Sequence, residues 1–143
     1  MGYRSEVAYA IVFKDKEDRD KILNKLTQDE QIEIQENALI EEDRVLFHVD
    51  SIKWYSTREM GSFGGGYAEI DAHDNLIQAA RDAEDLDEDD PDWVYSLGIF
   101  LRLGEQDNDT ERETWGDYGI PEGWPDTWDL VEYNRSMTVS WEN

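Results

Sequence analysis

Apolar and polar positions follow a few distinguishable patterns along this chain. Val7-Ala8-Tyr9-Ala10-Ile11-Val12-Phe13 is a short apolar run rich in strand formers, and it predicts a buried strand. From Asp15 to Leu26 the pattern changes to an acidic first turn, with Lys21 and Lys25 towards the end and Ile22, Leu23 and Leu26 on one side. That is the pattern of an amphipathic helix. Residues 29–43 are acidic, alternate briefly at Ile32 and Ile34, and read as an edge strand or a loop. From Arg44 to Trp54 the strand pattern returns, with Val45, Phe47 and Val49 on one face.

The glycine-rich run Gly61-Ser62-Phe63-Gly64-Gly65-Gly66 reads as a flexible connection. A second helix is expected from about Glu69 to Leu86, with Ile70, Leu76, Ile77 and Ala80 as its inner stripe and Pro91 limiting its extension. Trp93, Tyr95, Leu97, Ile99, Leu101 and Leu103 recur at period two and predict the longest strand. Val131, Tyr133, Met137, Val139 and Trp141 predict a last, half-buried one. The order strand, helix, strands, helix, strand, strand predicts an α+β fold: an antiparallel or mixed sheet with two helices on one face, ferredoxin-like with additions. A length of 143 residues and 38% hydrophobic content fit one domain over 1–143.

Charge changes this picture. The chain carries 36 acidic and 13 basic residues, a formal net charge of -23. Residues 1–68 hold 14 acidic and 9 basic side chains, whereas residues 69–143 hold 22 and 4, and all five lysines lie at or before Lys53. Such a field repels nucleic acid and anionic membranes and attracts basic surfaces, and its asymmetry points to a directed acidic face. Adaptation to high salt would not concentrate the acids after residue 69.

Two constellations carry most of it. Asp82, Glu84, Asp85, Asp87, Glu88, Asp89, Asp90 and Asp92 are eight carboxylates in eleven residues. A solvated helix end is the ordinary explanation of such a run, but negative charge at a helix C-terminus opposes the macrodipole, so stability does not account for it. Glu105, Asp107, Asp109, Glu111 and Glu113 follow at every second position, with Asp117 beyond. If extended, they lie about 6.6 Å apart on one face, comparable with the spacing of duplex phosphates; a flexible polar hairpin is an equally good reading. They share parity with Leu97, Ile99, Leu101 and Leu103, so an unbroken strand would aim them at the core side. Gly104 is therefore expected to break the strand, or an acidic hairpin or loop to project after residue 104. Trp115, Trp124 and Trp128 lie in an irregular stretch and fit minor-core packing or an interface anchor.

Other chemistry is missing from the pattern. There is no cysteine, hence no disulfide, zinc–thiolate site or thiol nucleophile. His48 and His73 have no metal-ligand spacing and read as packed or surface histidines. Calcium-loop registers starting at Asp85 or Asp107 place Asp90 or Arg112 where glycine is required. The glycine run lacks the Lys-Ser/Thr of a phosphate-binding loop. No carboxylate pair stands out for acid–base chemistry. No cofactor, no metal and no enzymatic activity are expected, and no run is long enough to cross a membrane.

The opening Met1-Gly2-Tyr3-Arg4-Ser5-Glu6-Val7, the stretches Val45-Leu46-Phe47 and Lys53-Trp54-Tyr55, and Leu103-Gly104-Glu105 followed by acids resemble a group of small acidic bacteriophage proteins that includes DNA mimics. The resemblance implies a host-directed inhibitor acting in the bacterial cytoplasm on the DNA-binding surface of a host enzyme. DNA gyrase is the preferred target, and anti-restriction or anti-CRISPR action comes behind it. An acidic chaperone or scaffold for a basic protein is the alternative. Taken from the clusters themselves, the expected partner-binding residues are Asp85, Asp87, Glu88, Asp89, Asp90, Asp92, Glu105, Asp107, Asp109, Glu111, Glu113 and Asp117.

Overall fold

A strand that is apolar at every position is buried on both faces only inside a sheet covered on both sides, and the run from Val7 to Phe13 is placed there. The computed structural model describes residues 5–52, 68–104, 110–116 and 122–124. In chain order its elements are β1 (Ser5–Phe13), α1 (Lys16–Leu23), α2 (Gln28–Asn37), β2 (Leu39–Ile40), β3 (Arg44–Ile52), α3 (Ala68–Glu84), β4 (Ser96–Gly104) and β5 (Thr110–Trp115). The strands form one sheet in the order β2-β3-β1-β4-β5, antiparallel at every junction. Tyr9 at its centre lies opposite Phe47 on one side and Phe100 on the other.

Alternation along β1 divides the core in two. Val7, Tyr9, Ile11 and Phe13 pack with Val45, Phe47 and Phe100 against residues of all three helices, among them Ile22, Ile34, Leu76, Ile77 and Ala80. Ala10 and Val12 face the other way, with Leu46, Leu97 and Ile99, and Leu101 and Trp124 pack against that second group. The fold is thus α+β as expected, with a wholly antiparallel sheet and helices on one face.

Two expectations need correction. Three helices, not two, are present among the described residues, because most of the segment 29–43 is helical. Its start is fixed by a capping box: the Thr27 hydroxyl oxygen accepts from the Glu30 amide at 3.2 Å, and the Glu30 carboxylate accepts from the Thr27 amide at 2.9 Å. Ile34 is then fully buried while Ile32 stays exposed, and only Leu39–Ile40 remains as an edge strand. The first helix also stops earlier than expected, at Leu23. Its start is capped by Asp15, which accepts from the Asp18 amide at 2.9 Å. Beyond Leu23, two tight turn hydrogen bonds, Lys25 N to Ile22 O and Leu26 N to Leu23 O, carry Leu26 into the core.

The third helix matches its expected span closely and buries Leu76, Ile77 and Ala80 as anticipated. The longest strand begins at Ser96, not Trp93, and ends at Gly104. Its odd positions Leu97 and Ile99 are buried on the face away from the helices, and its even positions Gly98, Phe100 and Arg102 face the helices. The glycine run 61–66, the side chain of Ile70, residues 53–54 and the strand expected over 131–141 lie outside the described residues.

Candidate functional site

The first acidic constellation forms the exit of α3. The helix ends at Glu84, and residues 85–92 turn back towards the sheet through hydrogen bonds from the Asp90 amide to the Asp87 carbonyl and from the Trp93 amide to the Asp90 carbonyl. The Asp90 carboxylate accepts from the Asp92 amide at 2.9 Å, a side-chain-closed turn. Two anchors tie this loop to the core: the Trp93 indole donates to the Glu84 carbonyl at 3.2 Å, and the buried Val94 donates its amide to the Ala83 carbonyl. Asp85, Asp87, Glu88, Asp89 and Asp92 are exposed and Asp90 half-buried, and none of the six is ion-paired to a described residue. Asp82 is exposed as well, and the Gln78 amide donates to it. The structure therefore brings six of the expected partner-binding carboxylates together on one short, anchored turn.

The second constellation is arranged differently. Glu111 and Glu113 lie on β5 and share a face, but that face looks towards the helices. The chain leaves β4 at Gly104 and returns with Arg102 opposite Glu111, Phe100 opposite Glu113 and Gly98 opposite Trp115. Odd positions of β5 therefore sit with even positions of β4. The Arg102 guanidinium, 1% exposed, donates through Nε to Glu111 at 2.6 Å, and Arg81 of α3 pairs with Glu113. These two carboxylates are engaged inside the molecule. Glu105, Asp107, Asp109 and Asp117 lie outside the described residues.

The same register settles one tryptophan. Trp115 is buried, its indole donates to Ser96 Oγ at 3.0 Å, and its ring fills the space over Gly98, where any Cβ would stand about 2 Å from ring carbons. Trp124 is half-buried against the second core group and Tyr95, at 5.1 Å between ring centroids. Trp128 lies outside the described residues.

Beneath α3 is a buried polar network that the sequence reading missed. The Tyr9 hydroxyl lies 2.6 Å from His73 Nδ1, and His73 Nε2 lies 3.3 Å from the Glu33 carboxylate. The His73 ring rests on Phe47 at 4.2 Å. Burial lowers the pKa of His73 to about 4, so the imidazole is neutral at pH 7. Burial, with the charges of Asp74 and Glu33, raises that of Tyr9. The consistent assignment has Tyr9 donating to Nδ1 and Nε2–H donating to Glu33. The order carboxylate, imidazole, hydroxyl is that of an activated nucleophile, but Tyr9 is 1% exposed and its hydroxyl meets no substrate. It is packing chemistry. Among the described residues no group of three His, Asp or Glu side chains is placed to hold a metal ion.

Asp74, the next residue of α3, is 5% exposed, and its Oδ2 has no hydrogen-bond partner. Burial first, then the charges of Asp71, Glu111 and Glu113, raise its pKa to about 8. The available sequence signal was that His73 and Asp74 lie one turn before Ile77 on the buried stripe of α3. No family model, no curated protein and no solved structure matches this chain.

Proposed function

We propose that the protein is a DNA mimic of bacteriophage type that occupies the basic DNA-binding surface of a host enzyme, DNA gyrase by preference, and inhibits it by competing with DNA. The observation that supports this reading is the turn 85–92. Its carboxylates are exposed, without ion pairs to described residues, and held on an anchored loop, so they are already in the state a basic groove would meet. A pre-formed array of charges loses less conformational entropy on binding than flexible side chains on a mobile tail. On this reading the fold is ferredoxin-like, supported by the strand order β2-β3-β1-β4 with helices after β1 and β3, and α2 and β5 are its additions. The connection from Gly104 to Thr110, carrying Glu105, Asp107 and Asp109, then serves as the second acidic arm.

A supercoiling assay with purified gyrase at rising DNA concentration tests the proposal. Inhibition should be relieved by DNA and should weaken as salt rises. Converting Asp85, Asp87, Glu88, Asp89 and Asp90 to amides should weaken it by about tenfold or more, equivalent to ~1.4 kcal/mol. Converting Glu105, Asp107 and Asp109 should act in the same direction. Amides at Asp15, Glu17, Asp18 and Asp20 should matter much less, since Lys14, Lys16, Arg19 and Lys21 offset them. Inhibition that DNA does not relieve, or that survives both replacements, removes mimicry. Binding to many basic proteins without inhibition would instead favour the scaffold reading.

A further inference from the structure

The half-buried acids behind the exposed turn present a different chemistry from the turn itself. Asp71 and Asp74 lie one helical turn apart on α3, and Glu111 and Glu113 lie on the strand close enough to Asp74 to act on its charge. Arg102 and Arg81 offset only Glu111 and Glu113. One carboxylate oxygen, Asp74 Oδ2, is enclosed without a donor. A buried acceptor left unpaired costs about 1–3 kcal/mol, and the described residues supply no side chain that satisfies it. Asp71, Glu111 and Glu113 are only partly buried, so the group is continuous with the surface.

We propose that the group formed by Asp71, Asp74, Glu111 and Glu113 at the α3–β5 edge is a receptor for a single guanidinium, the side chain of an arginine on the protein's partner. The missing complement is a donor of positive charge, and a planar guanidinium supplies several N–H groups in a fixed fork that spans neighbouring carboxylates. A hydrated point charge such as an ammonium fits a half-closed site less well. This deepens the reading of the protein as a ligand for a basic surface, on which it rests for the arginine's source. The exposed turn would then supply long-range attraction, and the group around Asp74 one desolvated anchor.

Proton linkage makes the site measurable. The groups acting on Asp74 are Asp71 on its own helix, Glu111 and Glu113 from β5, and Tyr9 from β1, whose proton Asp74 helps to hold. Asp74 is mainly protonated at neutral pH, so an arriving cation must displace its proton.

The test is calorimetric titration of the whole protein with N-acetyl-arginine methylamide, in buffers of different ionisation heat. Binding should release close to one proton at pH 7 and little at pH 9.5, and should tighten about tenfold between pH 7 and pH 9 as the ionised fraction of Asp74 rises. Asp74→Asn should abolish the proton release and most of the binding, and Asp71→Asn should weaken binding with the release retained. N-acetyl-lysine methylamide should bind more weakly, and spermidine, the free-cation source, no better than the lysine probe. Three results would overturn the assignment: equal binding of all three cations, binding unchanged in Asp74→Asn, or a carbon resonance showing Asp74 already ionised at pH 7 in the free protein. If arginine does not bind but the amide variants of the turn still lose inhibition, only this inference falls. If arginine binds but no DNA-handling enzyme is inhibited, only the proposed function does.

Discussion

At the scale of single residues, the buried neighbours His73 and Asp74 pull the stability of the fold in opposite directions with pH. His73 has its pKa lowered to about 4 by burial, so between the ordinary histidine value of 6.5 and about 4 the unfolded chain takes up a proton that the folded one refuses. Its contribution is full above 6.5 and is lost as pH falls through that window, by roughly 3 kcal/mol. Asp74 has its pKa raised to about 8, so between the ordinary 3.8 and about 8 the folded chain holds a proton that the unfolded one releases. Stability therefore falls as pH rises through that window. The two slopes oppose each other between about 4 and 6.5, and only that of Asp74 remains above. Urea denaturation should show a nearly flat profile at mildly acidic pH and a decline from about 6.5 to 8. Asp74→Asn should convert it into a rise to about 6.5 followed by a plateau, and should stabilise the protein by about 2 kcal/mol at pH 8. An unchanged profile in that variant would mean that Asp74 is not held neutral.

At the scale of elements, α2 depends on its first turn more than on its sequence. Gln28–Asn37 buries only Ile34 fully and has no basic residue in its last turn to meet the macrodipole. The capping box at Thr27 therefore carries an unusual share of its definition. Thr27→Ala should cost about 1 kcal/mol and should speed amide exchange in this helix more than in α3. Equal exchange in the two helices would place the stability of α2 elsewhere. This element also shows where the sequence was hard to read. β1, β3, β4 and α3 were legible because their apolar runs are long and follow one period. In α2 the spacing of Ile32 and Ile34 imitates a strand, and the informative signal was Thr27-x-x-Glu30, a cap, not a hydrophobic pattern. The parity of Glu111 and Glu113 was equally misleading. A turn after Gly104 resets which face odd positions occupy, and only the register shows them meeting Arg102 and Arg81. The turn at 85–92 was legible as a charge run, but its anchoring by Trp93 and Val94 was not. The unpartnered Asp74 was hidden because one polar residue in a helical stripe looks like ordinary interruption.

At the scale of the whole molecule, charge opposes compactness. The formal net charge is -23, and the exposed carboxylates of residues 85–92 have no ion pairs to described residues. Self-repulsion should weaken the folded state at low ionic strength, and salt that shortens the screening length to about 8 Å should relieve it. The melting temperature should rise with sodium chloride from 10 to 150 mM, a gain of ~1 kcal/mol appearing as about 4 °C. A flat response would mean that the carboxylates are better dispersed or paired than their exposure implies.

The position of β1 in the sheet also sets the order in which the chain can assemble. It is the central strand, yet it precedes both of its neighbours in sequence: Tyr9 is matched with Phe47, 38 positions later, and with Phe100, 91 positions later. The hydrogen bonds of the most apolar segment are therefore the least local in the molecule. The entropy of closing both long loops must be met before either pairing contributes, which slows folding relative to a chain of neighbouring hairpins. Until β4 has been synthesised, the run from Val7 to Phe13 has an open edge in the nascent chain. Strong repulsion between acidic chains then has a second use, in keeping one unfinished copy from pairing with another.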